Sequence, residues 1–184
     1  MPAWVVTAVY FVRVVEMSPL QLVLIGTVME ATVFVFEIPT GAFADTYGRR
    51  LSLVVGFIVQ GLAVVLVGAI ASFWVIAVAW AIWGFGYTFQ SGAYEAWITD
   101  EVGVEHVGKV FLRGTRICYA GELLGLIVSV GIALRSLRAA VIAGGLVIIA
   151  CGVATALLMP ETGFVRHAPE QRRTGLRAVA GTAI

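Results

Sequence analysis

Two carboxylates stand where carboxylates are costly. Glu30 lies near the middle of an apolar stretch over residues 20–43, and Glu122 near the middle of another over residues 111–134. An ionisable group at the centre of a bilayer costs about 2.5 to 3.5 kcal/mol on insertion scales, so it requires a partner, a watery cavity or a proton. No basic residue shares the level of either. Arg116 comes before Glu122 by about 9 Å of helix rise, too far for a direct pair within one helix. The chemistry open to such groups is proton uptake and release, or contact with a solute. The alternative is a protonated carboxyl hydrogen-bonded between helices that serves packing alone. Glu30 and Glu37 are two helical turns apart and share one face with Gly26 and Gly41, a face expected to look inward.

A second constellation is charged and local. Residues 41–50 read Gly-Ala-Phe-Ala-Asp-Thr-Tyr-Gly-Arg-Arg, a G-x-x-x-D-x-x-G-R-R pattern in a tight polar loop between two apolar stretches. Gly41 lets helices approach closely, Asp45 sits where a helix ends and Gly48 permits a sharp turn, while Arg49 and Arg50 can pair with acids or helix carboxyl ends. An ordinary basic loop between membrane helices would also carry such arginines. Glu37 and Glu95 lie near the same end and could pair with Arg49 or Arg116, and Asp100 closes the fourth apolar run. A structural latch suits these acids better than solute binding.

Other chemistries find no constellation. Ser91-Gly92 lies in an apolar run, but His106 and His167 belong to polar segments, so no Ser/His pair forms within a span and an intramembrane hydrolase lacks its base. The G-x-x-x-x-G-K-[ST] phosphate loop is missing, so the chain does not energise work with its own ATP. Cys118 and Cys151 fall inside apolar runs without a CxxC or Cys/His cluster and read as small buried apolar residues, with no disulfide framework and no metal site. No enzyme activity and no cofactor are expected, and a net charge of +1 offers nothing to nucleic acid.

The elements that must position these groups follow from composition. Of 184 residues, 60% are hydrophobic and 12% charged, and the mean hydropathy is +0.99, so the main solvent is a lipid bilayer. Spans are expected at about residues 1–16, 20–43, 51–71, 74–98, 111–134 and 138–159. The first is short for a span of roughly 20 residues and reads as the rear part of a first helix whose front is missing. Residues 51–98 as one helix would be roughly 72 Å long, so the chain must turn back, with Ala71-Ser72-Phe73-Trp74 the best place. The glycine step Gly121/Gly125, with Gly144, Gly145 and Gly152, suits close helix packing. Trp74, Trp80, Trp83 and Trp97 could stack a flat apolar solute or anchor span ends. Residues 160–184 are polar and basic, a cytoplasmic tail or the start of a linker.

Basic residues orient the bundle. With the amino terminus cytoplasmic, the inner segments hold Arg49, Arg50, Lys109, Arg113, Arg116, Arg166, Arg172, Arg173 and Arg177, against Arg13, Arg135 and Arg138 outside. The positive-inside rule favours this arrangement.

Taken together, the residue 41–50 pattern, Glu37-Ile38-Pro39-Thr40-Gly41 before it, Ser91-Gly92-Ala93-Tyr94-Glu95-Ala96-Trp97 with Asp100, and Met159-Pro160-Glu161-Thr162-Gly163-Phe164 resemble the major facilitator superfamily, in particular bacterial exporters of the drug-efflux type. The resemblance covers essentially the whole chain and the first six of the usual twelve helices. It implies a six-transmembrane-helix, all-α bundle like the amino-terminal half of that fold, in the cell inner (plasma) membrane. It also implies secondary transport of a small-molecule substrate, with Gly41, Asp45, Gly48, Arg49 and Arg50 as a cytoplasmic latch between two halves. Two positions depart from the proton-driven drug antiporters: Trp80 precedes Gly84 where many carry arginine, and residues 119–125 lack a proline. A transport site between halves requires a second six-helix half, either a missing carboxyl-terminal half or a homodimer mate. The competing reading is a non-transporting membrane scaffold or an inactive remnant of a transporter.

Overall fold

The computed structural model describes residues 3–163, and everything it describes is helix, turn or loop. Among the described residues seven helices follow one another: α1 Ala3–Arg13, α2 Pro19–Tyr47, α3 Arg49–Ala69, α4 Phe73–Gln90, α5 Ala93–Val102, α6 Val107–Ala133 and α7 Leu137–Leu158. Five segments are long and apolar enough to cross a membrane, with α4 and α5 running together as one of them. α1 has 11 residues, about 16 Å of rise, half of a hydrocarbon core of roughly 30 Å. The protein is an all-helical, multi-pass membrane bundle.

Local chemistry starts and stops these helices. Ser18 and Gln21 form a reciprocal capping box at the head of α2, with Pro19 in the first turn. Pro39 inside α2 removes one backbone donor without ending the helix. Next to it the buried Thr40 hydroxyl reaches both its own helix at Phe36 O, 2.8 Å, and the facing helix at Thr88 O, 3.1 Å. The chain reverses between α3 and α4 over residues 70–72. The run over residues 74–98 is not one unbroken helix. Ser91 and Gly92 interrupt it, Gly92 with φ +75°, so that α5 leaves in a new direction. Hydropathy does not register this break, because the flanking residues remain apolar.

Packing concentrates on α3. Gly61 of α3 faces Gly145 of α7 so closely that a Cβ on either would lie 2.8 Å from the other's carbonyl oxygen. Gly56 of α3 and Gly86 of α4 meet in the same way, at 2.8 and 3.1 Å. Small residues at such crossings let backbones touch, which is how helices associate where lipid removes the usual hydrophobic drive. Beyond the glycines, Tyr10 and Phe11 of α1 pack with Val67, Ile76, Trp80, Trp83 and their neighbours, and the Tyr10 hydroxyl donates to Val67 O at 3.1 Å. Trp80 and Trp83 are core residues, not free platforms for a solute, whereas Trp74 is 75% exposed at the start of α4.

Three packing expectations are corrected. Gly121 has nothing within 4 Å of a Cβ position, as is also true of Gly26 and Gly41, so none of these glycines is a point of close approach. α6 has no buried residue. Cys118 and Cys151 are exposed on outer faces instead of being buried, because α6 and the far side of α7 bear large apolar side chains such as Ile117, Leu157 and Leu158 outward, as lipid allows.

Candidate functional site

The charged constellation folds into one corner of the bundle. Residues 41–47 are the last turns of α2, and only Gly48 separates α2 from α3, so the expected loop is reduced to a single buried residue. Gly48 has φ +115°, and a Cβ there would also lie 2.8 Å from the Glu161 carboxylate, which leaves glycine as the residue that fits. Its N–H closes α2 on Ala44 O at 3.1 Å.

Arg49 opens α3 and turns back to α2, where its Nη1 donates to Asp45. Its Nε lies 3.7 Å from Asp100 Oδ2 on α5, an ion-pair contact beyond hydrogen-bond reach. One half-buried guanidinium therefore ties the ends of three helices. Arg50 points the other way: its Nη2 donates to Ala156 O near the end of α7 at 2.5 Å. The Arg50 backbone N–H donates to Glu161 Oε1 at 3.0 Å, so a carboxylate caps the first turn of α3, where amide groups lack helical acceptors. Glu101, at the end of α5, accepts from the Thr162 hydroxyl at 2.6 Å and from the backbone N–H groups of Thr162 and Gly163 at 2.5 and 2.8 Å. The Trp97 indole N–H adds a bond to Pro160 O at 2.8 Å. Residues 160–163 are thereby clasped between α3 and α5.

The structure brings Asp45, Gly48, Arg49, Arg50 and Asp100 together and leaves the other expected groups apart. Gly41 lies about one turn before Asp45 in α2, beside open space. Glu37 accepts from the Ser91 hydroxyl at 3.0 Å, not from Arg49 or Arg116. The Glu95 carboxylate is exposed and pairs with neither arginine among the described residues. Glu30 sits on an exposed face of α2 and Glu122 is half-buried on α6, so the Glu30 face does not look into this bundle. Glu101 does not stand out in sequence, Glu161 stands out only as part of the Met159–Phe164 segment, and Trp97, expected to stack a solute or anchor a span end, bonds Pro160 O instead. For Glu161 the physical signal is the need of α3's first amides for an acceptor. Arg138 caps the other end of α3, where its Nε and Nη2 donate to Gly68 O and Ala69 O at 2.8 and 2.7 Å. The basic tail from Phe164 onward, with His167, lies outside the described residues.

Comparison with known proteins gives the family of the chain. An uncharacterized MFS-type transporter, YxaM of Bacillus subtilis (strain 168), is 31% identical over 110 residues, which is 60% of this chain. The aligned stretch spans 28% of that relative's length. No solved structure matches. The family model described as Major Facilitator Superfamily matches residues 3–183, and on that match, nearly end to end, the chain belongs to the major facilitator superfamily.

Proposed function

We propose that the chain is the amino-terminal six-helix part of a secondary active transporter that exports a small solute across the cell inner (plasma) membrane. The Gly48 corner and the carboxyl-terminal tail face the cytoplasm. The observation that carries this reading is the Asp45, Arg49 and Asp100 chain of ion pairs, which joins α2, α3 and α5 at one end of the bundle. A latch of this kind makes the helix ends move as one body, as rocking of one half against another requires. The second half is the remainder of a longer polypeptide or a homodimer mate. It would cover the outward faces of α2 and α6, which bury little within this unit. Glu30 and Glu122 stand on those helices as the proton-coupling or solute-contact groups. The cytoplasmic assignment rests on the distribution of basic residues, and the export direction rests on the resemblance of the motif segments alone.

The test is transport in inverted vesicles by the chain together with its second half. Asp45→Asn or Arg49→Ala should lower driven uptake by about tenfold or more, as expected when an ion pair supporting a moving element is lost, while membrane insertion stays unchanged. Full transport by both variants would return the corner to an ordinary basic turn. No transport by the assembled wild-type pair would favour the scaffold. In intact cells a cysteine at Tyr47 should be shielded from impermeant reagents and one at Ser136 should label; the reverse pattern would overturn the orientation.

A further inference from the structure

Three cations of α6 share one side of the helix. Lys109, Arg113 and Arg116 fall within about 60° of arc and about 10 Å of rise, and all three are exposed. The opposite side is the one that packs. There the Phe111 ring meets Tyr94 of α5 with centroids 6.3 Å apart, a Cβ on Gly114 would lie 3.5 Å from the Tyr94 hydroxyl, and Glu122 and Gly125 further along are half-buried. The basic face therefore points out of the bundle. Among the described residues no carboxylate comes within ion-pair distance of these cations, and Glu105, one turn before Lys109, is exposed and makes no bridge to it. Lys109 also stands in the first turn of α6, where the helix dipole disfavours a cation. The positive-inside rule calls for basic residues at this end but is indifferent to the side of the helix they take. Their alignment on one unpartnered face calls for an anion from outside the chain.

Depth selects the anion. The run from Ile117 to Ala133 is apolar except for Glu122 and a few small polar residues and rises about 25 Å, most of a hydrocarbon core. Arg116, Arg113 and Lys109 thus stand successively at and beyond its edge, at the level of lipid headgroups. Tyr119, one turn deeper than Arg116, and Leu123 beyond it are exposed on the same side. We infer that this face holds an anionic phospholipid of the cytoplasmic leaflet. Its phosphate lies on Arg113 and Arg116, Lys109 reaches the outer part of the headgroup, and an acyl chain runs along Tyr119 and Leu123. Other occupants fit less well. The chain beyond residue 163 brings Arg166, Arg172, Arg173 and Arg177 against Glu170 alone and is repelled. A twofold pairing with a second copy through this face would set the same cations opposite one another. The exposed side of α6 is wide, with Ile117 and Tyr119 about 200° apart, so a lipid on the Tyr119 flank leaves the Ile117 flank to the second half proposed above. The choice of leaflet rests on the orientation proposed above; the preference for an anionic headgroup does not.

Thermal unfolding of the full chain in dodecyl maltoside tests this, titrated with dioleoylphosphatidylglycerol, dioleoylphosphatidylcholine or glycerol 3-phosphate. Phosphatidylglycerol should raise the midpoint saturably, phosphatidylcholine should act about tenfold more weakly, and glycerol 3-phosphate, which lacks acyl chains, should do nothing. Arg113→Gln and Arg116→Gln should each weaken the phosphatidylglycerol effect about fivefold and leave unfolding without lipid unchanged, since both side chains are exposed. Arg135→Gln, an exposed arginine beyond the other end of α6, should leave the lipid effect intact. Equal response to phosphatidylcholine, a matching response to glycerol 3-phosphate, an equal loss in Arg135→Gln, or an unaffected Arg113→Gln/Arg116→Gln double variant would each overturn the proposal. So would a lipid-free oligomer that the double variant dissociates, which would give the face to a protein partner. Cysteine labelling at Tyr47 and Ser136 decides the leaflet separately, so failure of the orientation and failure of the lipid site are told apart.

Discussion

Helices α3 and α7, and helices α2 and α6, are all apolar and of membrane length, yet they differ in how much of themselves they bury. α3 and α7 run antiparallel with their glycines in backbone contact, and each end of α3 is capped from the α7 side, by Arg138 at one end and by Glu161 at the other. α2 buries only Ile25, Thr40 and Ala44, and α6 buries nothing. α2 does meet α4 closely, since a Cβ on Gly84 would lie 2.8 Å from Met29 O, yet α2 and α6 bury few residues or none, and the two candidate membrane carboxylates, Glu30 and Glu122, stand on them. Apolarity brings a helix into the bilayer, and it does not decide which helix it packs against. Small residues and end caps decide that, because lipid solvates Leu and Ile as well as another helix does.

The largest expected effect would break the tight pair. Gly61→Leu places side-chain atoms where a Cβ alone already lies 2.8 Å from Gly145 O, and overpacking of this kind should destabilise by about 3 kcal/mol or abolish folding. Gly121→Leu, with open space at its Cβ position, should stay within about 0.5 kcal/mol. Thermal unfolding in detergent reads both, and equal losses would dissolve the contrast between the two helices.

A middle effect belongs to the cap. Arg138→Met removes donors at 2.8 and 2.7 Å from the last carbonyls of α3, which should cost about 1 to 2 kcal/mol. Arg116→Met on the exposed side of α6 should cost less than about 0.5 kcal/mol. A silent Arg138→Met variant would mean that the glycine seam alone holds the pair.

The smallest effect on stability should come from the carboxylates, and it should accompany the sharpest effect on function. Glu30→Gln and Glu122→Gln keep size and hydrogen bonding but cannot release a proton, so unfolding should shift by less than about 0.5 kcal/mol while proton-driven accumulation is lost. Full driven transport by both variants would remove the coupling role and return these residues to packing.

The helical membrane class is legible in the chain because solvent preference is a property of composition and run length. Glycine at 48 is legible as a turn because the conformation it permits is local. Expectations fail where the outcome depends on a distant neighbour. Gly121 has the small-residue spacing of a helix contact with Gly125 and faces open space, while Gly56, which has the same spacing with Ser52, and Gly61 meet backbones from α4 and α7. Glu37 stands near Arg49 by position and bonds Ser91 instead.

By itself, the sequence determined that this protein lives in a bilayer as a set of helices, where the polar breaks between them fall, and which few residues carry charge into the apolar runs. Each of these depends on residues within a turn or two of one another and on the solvent around them. Only the tertiary structure decided that Arg49 bridges Asp45 and Asp100, that Glu161 caps α3 and that Glu101 clasps residues 160–163. Arg50 and Glu161 are 111 positions apart, so nothing local couples them. They meet because the glycine seam brings α7 against α3 and carries Glu161 to the first amides of α3.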